Sequence, residues 1–170
     1  MKRTLLTLLG LAVLLFAGWR VRLMLASPET RIRWRVEEML EAFNEARLSP
    51  IMKGVAEGWR DEGERVDRER LADGLRYTFF QEKDPKTKAF RYRVELEEEL
   101  AIVVDDKDAR HATVALLARF DCLRLEEWTP TWRVRIEAEL VEHEEHGWQV
   151  SRSKRETLWS DGRLVGATRR

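Results

Sequence analysis

Alternation of apolar and polar residues runs through the second half of the chain, most clearly between positions 90 and 104. Every second residue of this stretch is apolar except Glu98, and the residues between them are mostly charged. A period of two predicts a β-strand with one face on the core and the other in water, whereas a helix would bring acidic residues into the core. The apolar face consists of Phe90, Tyr92, Val94, Leu96, Leu100, Ile102 and Val104.

Three more stretches continue the strand pattern, at about 111–127, 132–143 and 148–159. Short turn-like connections join them, so successive strands are predicted to pair antiparallel. In the second strand, alternate residues from Ala112 to Phe120 are predicted to face the core, which leaves Asp121 pointing away from it. The other side of this strand is partly apolar too, which suggests that the outer surface of the sheet meets a second protomer or another protein.

Helical spacing dominates before position 85. Ser27 and Pro28 provide a helix cap and a first-turn proline, and apolar residues then recur at steps of three and four as far as Phe43. A second helix is predicted over 48–63, and a third from Asp67 to the breaker at position 85. The pattern predicts an α+β domain over residues 27–162, with three N-terminal helices packed on an antiparallel four-stranded sheet.

The N-terminal segment, residues 1–26, has a different character from the rest of the chain. After two basic residues, the run Leu5–Ala17 carries no charge. This composition fits either a cleaved secretory signal peptide or a retained membrane anchor. Met24 occupies a position where cleavage before Ser27 would require a small side chain, so we expect a single-pass anchor over residues 4–26, with the domain on the non-cytoplasmic side. A short tail, residues 163–170, ends the chain.

Composition excludes several classes of function. The 170 residues are 44% hydrophobic and 36% charged, which suits one folded domain. Basic and acidic residues are equal at 31 each, so no bulk field favours nucleic acid. The only cysteine, Cys122, excludes an intramolecular disulfide and a cysteine-based metal cluster. His143 and His146 lie in an acidic turn with poor metal-site spacing, and no metal or cofactor is expected.

Several short patterns together resemble the nuclear transport factor 2-like superfamily, which includes SnoaL-like and ketosteroid isomerase-like proteins. They are VEEMLEAFNEARLS, IMKGVAEGWRDE, VDRERLADGL and the final strand entered through HGWQV. The resemblance implies a strongly bent sheet wrapped around the helices, forming a cone with a pocket inside. It also implies a choice of roles, because some relatives are enzymes, many are binding or assembly domains, and membrane-anchored members occur in secretion machines.

Four residues are candidates for a pocket in such a cone: Tyr92, Glu98, Arg119 and Asp121. The resemblance to isomerase-like proteins implies a carboxylate that moves protons inside a dry cavity. Tyr92 and Glu98 are expected on the inner face of the first strand, where a buried glutamate would need an arginine partner or an edge position. Arg119 and Asp121 are interpreted as a cross-strand ion pair.

The sequence therefore favours a membrane-anchored binding or assembly module of the cell envelope. Two alternatives stay open: a small pocket enzyme of isomerase or hydratase type that uses carboxylates in the cone, and a secreted protein that binds a small apolar ligand. An enzyme predicts an ionisable pair converging inside the cone, while an assembly module predicts a filled or apolar cone and an apolar outer sheet.

Overall fold

A computed structural model describes residues 26–63 and 66–161 of the chain. The expected anchor, residues 4–26, lies outside the described residues apart from Ala26, and the tail at 163–170 lies outside them entirely. Among the residues that are described, no helix is both long and apolar enough to span a bilayer.

The described residues form three helices: two start where cap chemistry predicts, and the third has no side-chain cap and is much shorter than expected. Helix α1 spans Pro28–Asn44 behind an N-cap at Ser27, and α3 spans Arg68–Gln81 behind an N-cap at Asp67. Each cap side chain accepts a hydrogen bond from the backbone N–H three residues further on. Helix α2 covers only Leu48–Lys53.

The prediction that the second helix continues to position 63 is wrong. Residues Val55–Asp61 form strand β1, which runs parallel to the last strand of the chain. Gly54 and Gly58 disfavour helix, and the backbone instead pairs with a strand that presents Val150 opposite Val55. The inner side of β1 buries Trp59 and Asp61.

Within the part of the chain that the structure describes, the sheet has six strands instead of the predicted four. The run from 90 to 105 divides into β2 (Tyr92–Leu96) and β3 (Ala101–Val104), both antiparallel to β4 (His111–Arg124). Strands β5 (Glu127–His143) and β6 (Gly147–Ser160) complete the sheet in the order β1-β6-β5-β4-β2, with β3 also on β4. Antiparallel pairing of β4, β5 and β6 is confirmed.

The turn between β4 and β5 lies earlier than predicted. It falls at Leu125 and Glu126, whose φ angles are 48° and 69°, so Thr129 and Pro130 belong to β5. Two consecutive positive φ angles are the geometry of a two-residue hairpin turn.

Helices cover one side of the sheet, which we call the inner face, and the opposite side is the outer face. The alternating row from Ala112 to Phe120 faces the helices as predicted, because its members pack against α1 in two core clusters. In those clusters Ile32 and Val36 of α1 pack near Val114, and Leu40 packs near Ala118. Burial of this apolar area is the main force that holds the helices on the sheet.

Aromatic rings occupy the inner side around Phe43 of α1. Its ring centroid lies 5.7 Å from Phe79, 5.6 Å from Phe90 and 5.4 Å from Phe120, all in edge-to-face arrangements. Phe79 and Phe90 also meet at 5.2 Å. We call these four residues the Phe43 cluster. Such edge-to-face packing joins α1 and α3 to the sheet.

Candidate functional site

Asp121 forms the centre of an ion-pair network on the outer face. Although it points away from the helices, it is only 1% exposed, because two arginine side chains cover it. Arg93 on β2 donates to its carboxylate at 3.0 Å, and Arg119, two residues away on β4, donates at 2.9 Å. A buried carboxylate is stable only with such charged donors. Asp121 points outward as predicted, but its ion pair with Arg119 runs along β4 instead of across strands, and its cross-strand partner is Arg93.

The network continues from Arg119 across neighbouring strands. Its guanidinium also donates to Glu95 at 2.8 Å and lies 3.9 Å from Glu97, which pairs with Arg133 on β5. The pKa of Arg119 is raised, first by its hydrogen bond to Asp121 and then by the surrounding carboxylates. Arg119 therefore stays charged and acts as a fixed connector of acidic side chains, with no proton to exchange.

Exposed tryptophans flank this network. Trp128 is 39% exposed and lies beneath the Arg93 guanidinium, 4.6 Å from it, and Trp159 is 47% exposed opposite Arg133. Among described residues the strand register gives the outer face seven basic and six acidic side chains. The basic ones are Arg60, Arg93, Arg119, Arg133, Arg135, Arg152 and Lys154, and the acidic ones are Glu95, Glu97, Asp121, Glu137, Glu139 and Glu156. Tryptophan and arginine are enriched at the centres of protein–protein interfaces.

Tyr92 lies on the inner face, where the sequence predicts it. It is 6% exposed and pairs in register with Cys122, itself 2% exposed. Burial raises the pKa of the Tyr92 hydroxyl well above its ordinary value, and the neighbouring Cys122 adds to this effect. Tyr92 is thus a neutral hydrogen-bonding group. Tyr92 faces the opposite side of the sheet from Arg119 and Asp121, so the four candidates do not form one pocket.

Glu98 differs from its expected position on the inner face. The strand predicted to run through it is interrupted, and Glu97 and Glu98 form a bend between β2 and β3. Glu98 is exposed in this bend. The alternation resumes in the same phase at Leu100, which is buried. Two strands separated by a bend therefore read as one strand in the sequence. Glu98 therefore needs no buried partner.

A polar strip on the inner face was not predicted. Ser153 and Arg155 of β6 lie opposite Ala138 and Ile136 of β5, and Asp61 of β1 lies opposite Ser153. The Asp61 carboxylate lies 3.5 Å from the Ser153 hydroxyl and 4.0 Å from Nε of Arg155. The Arg155 guanidinium lies 5.8 Å from the Trp132 ring.

The alternation of the last strand could not have revealed this strip. It places Trp148 and Val150 inward, but an irregularity in register then shifts the phase by one residue, so that Ser153 and Arg155 face inward. Asp61 was missed because it was assigned to a helix.

The histidine-containing turn carries no assembled metal site. The rings of His143 and His146 stack at 5.0 Å, and Nδ1 of His143 accepts a hydrogen bond from the Glu145 amide at 3.3 Å. Over residues 26–63 and 66–161, no group of three or more histidine, cysteine or carboxylate side chains has a geometry that could hold a metal ion.

Comparison with known proteins identifies the fold. No protein-family profile and no curated protein matches the chain. Solved structures do match. A nuclear transport factor 2-like protein with a cystatin-like fold from Novosphingobium aromaticivorans superposes with a TM-score of 0.61 and 12% identity, covering 87% of this chain and 90% of that one.

Two further solved structures superpose in the same way. A protein of unknown function from Mycobacterium tuberculosis gives a TM-score of 0.60 at 12% identity, over 84% of this chain and 75% of that chain. A ketosteroid isomerase-like protein from Erwinia carotovora gives 0.51 at 18% identity, over 75% and 94%. The described residues, with helices packed on a curved sheet, therefore have a cystatin-like fold, which the nuclear transport factor 2-like proteins that superpose on them share.

Proposed function

We propose that this protein is a membrane-anchored binding or assembly module of the cell envelope, and that it works through the outer face of its sheet. Residues 4–26 hold it in the membrane, with the domain on the non-cytoplasmic side. One contrast carries the proposal: on the inner side the Phe43 cluster packs α1 and α3 against the sheet, whereas Trp128 and Trp159 are exposed on the outer face beside ordered arginines. Exposed tryptophans beside arginine favour a protein partner.

The partner is a second copy of this chain or another envelope protein. Basic and acidic side chains alternate over the outer face, seven to six, so the face carries both signs of charge that a two-fold self-contact can pair. The ion pairs are already formed within one chain, so charge orients the contact while the tryptophans contribute most of its affinity.

Sedimentation of the full chain, extracted from its own membranes in mild detergent, tests this assignment. We expect the native chain to sediment faster than a monomer, and the double variant Trp128→Ser/Trp159→Ser to sediment as a monomer. Leu125→Ser is the control, because Leu125 is an apolar residue that is 99% exposed in the turn between β4 and β5. A monomeric native chain, or a double variant that behaves like the native chain, would refute the outer-face interface.

The anchor is tested separately by fractionation. The intact chain should stay in the membrane pellet after washing with high salt and alkaline carbonate. Recovery of a shortened soluble product would remove the anchor and favour the secreted small-ligand-binding alternative.

A small pocket enzyme is the second candidate, and the polar strip on the inner face favours it. Asp61 is 6% exposed on the inner side, close to Ser153 and Arg155, and a buried carboxylate of this kind is what isomerase or hydratase chemistry uses to move a proton. Binding of small carbonyl compounds to the native chain but not to Asp61→Asn, measured by calorimetry, would support this role. Equal heats for the two chains would exclude it.

A further inference from the structure

Two exposed aromatic side chains stand on the outward side of α3. Tyr77 is 55% and Phe80 is 76% exposed, and they lie three residues apart, so they share one face of the helix. Gly74 lies one turn earlier on the same face, and the space beside its Cα is open. Phe79 points the other way, into the Phe43 cluster, and fixes α3 to the domain. The aromatic pair is therefore presented on a rigid support.

The turn after α3 adds lysines to this surface. Between Phe80 and Phe90, Lys83, Lys86 and Lys88 are exposed, while Glu82 and Asp84 are half-buried. The Asp84 carboxylate accepts hydrogen bonds from the backbone N–H groups of Lys86 at 2.9 Å and Thr87 at 2.7 Å. These bonds fix the backbone of the turn that carries the lysines. We call Tyr77, Phe80, Lys83, Lys86 and Lys88 the aromatic–lysine patch.

The patch belongs to the helical side of the domain, as does the point where the N-terminal segment joins it. Helix α1 begins at Pro28, directly after residues 1–26, and α3 packs on α1 through Phe79 and Phe43. The outer face with its tryptophans is on the opposite side of the sheet. A membrane contact at α3 would therefore leave the outer face free for a protein partner.

We propose that the aromatic–lysine patch binds the surface of an anionic lipid bilayer. Aromatic side chains partition into the headgroup region, and lysines extend their charge to lipid phosphates. The contact is weak by itself, and it rests on the proposed anchor, which raises the effective concentration of the bilayer at the patch. Glu37 and Glu41 are exposed on α1 and restrict the contact to the α3 end of the helical side.

A fluorophore on the full chain tests the contact. The substitution Gln81→Cys places an environment-sensitive dye beside Phe80, and labelling is selective because the native Cys122 is only 2% exposed. Glu137→Cys places the control dye on the outer face. Each labelled chain is reconstituted in vesicles of phosphatidylcholine, alone or mixed with phosphatidylglycerol, that contain a brominated quencher lipid.

In the mixed vesicles we expect quenching at position 81 to exceed quenching at position 137 about twofold or more, because lysines near an anionic surface add attraction. The triple variant Lys83→Gln/Lys86→Gln/Lys88→Gln should lose the difference, and Phe80→Ser should reduce it. Equal quenching at both positions, or no effect of the lysine changes, would overturn the proposal. An equal dye response to soluble polyglutamate without vesicles would assign the patch to an acidic protein segment.

Flotation of the same samples separates this inference from the anchor. A chain that floats with pure phosphatidylcholine but shows no difference between positions 81 and 137 retains the anchor and loses the patch. A chain that floats only with the mixed vesicles, with position 81 quenched, loses the anchor and retains the patch.

Discussion

Replacing Phe43 by alanine tests whether the inner side of the sheet is filled. Phe43 lies at the centre of three edge-to-face contacts, with ring centroids 5.4 to 5.7 Å apart, that join α1, α3 and the sheet. The substitution would leave a void bounded by Phe79, Phe90 and Phe120. A rigid, close-packed interior relaxes only partly around such a void.

The expected cost follows from the packing. Truncating a core phenylalanine costs about 3 to 5 kcal/mol, and the lower end, about 3 kcal/mol, applies because Phe43 is half-buried. For a chain of this size that corresponds to a fall in Tm of roughly 10 °C. Phe43→Leu keeps most of the volume and should cost about 1 kcal/mol.

The assay combines urea unfolding with binding of benzene. An apolar cavity of this kind binds small aromatic molecules, so benzene should raise the Tm of Phe43→Ala and leave the native chain unchanged. A native chain that benzene stabilises as much as the variant would mean that the interior is open. A loss of stability no larger for alanine than for leucine would also refute the reasoning.

Three further predictions follow from particular contacts. Asp121→Asn should lower the free energy of unfolding by about 2 kcal/mol, because it leaves Arg93 and Arg119 without their shared buried carboxylate. Glu95→Gln, on the exposed side of the same network, should lower it by less than about 1 kcal/mol. Similar losses of unfolding free energy for the two variants, measured with urea, would contradict the network. Asn44→Ala should speed hydrogen exchange at the Val94 amide, which lies on the free edge of β2. The Asn44 side chain accepts a hydrogen bond from the Val94 N–H at 2.6 Å and donates one to the Val94 carbonyl at 3.1 Å. An unchanged exchange rate would show that water replaces the Asn44 side chain. Burial raises the pKa of Tyr92 above its ordinary 10.0, so the unfolded chain loses the tyrosine proton first. The contribution of Tyr92 to stability is therefore complete below pH 10.0 and is lost as the pH rises beyond it. Urea unfolding should show this fall in the native chain and a smaller fall in Tyr92→Phe, and equal dependence on pH in the two chains would contradict it.

Local signals in the sequence predicted much of the fold because their causes are local. Ser27 and Asp67 cap their helices through side-chain bonds to residues three positions away, and alternation on β4 is a property of one strand. Strand β1 was missed for the opposite reason. Residues such as Val55 and Trp59 fit a helical spacing, and the partner that makes them a strand is almost a hundred positions away at Val150.

For the candidate site, the sequence predicted only which face of the sheet a side chain takes, because alternation along one strand decides this. Parity alone directs Asp121 outward and Tyr92 inward, and both orientations are as expected. Arg93 was not recognised as a partner of Asp121, because their contact depends on the register between β2 and β4. Glu98 lies in a bend outside the strand. Because the bend does not shift the alternation of the following residues, a period-two pattern cannot reveal it.

Carbene footprinting of the full chain, first purified in detergent and then in intact cell envelopes, tests the central claim most directly. We predict that Trp128 and Trp159 are labelled in the purified chain and protected in envelopes, while labelling of the half-buried Phe43 and Phe120 is the same in both. Labelling of Phe43 and Phe120 in the purified chain, with protection in envelopes and no change at the tryptophans, would contradict the account and move the working surface to the inner side of the sheet.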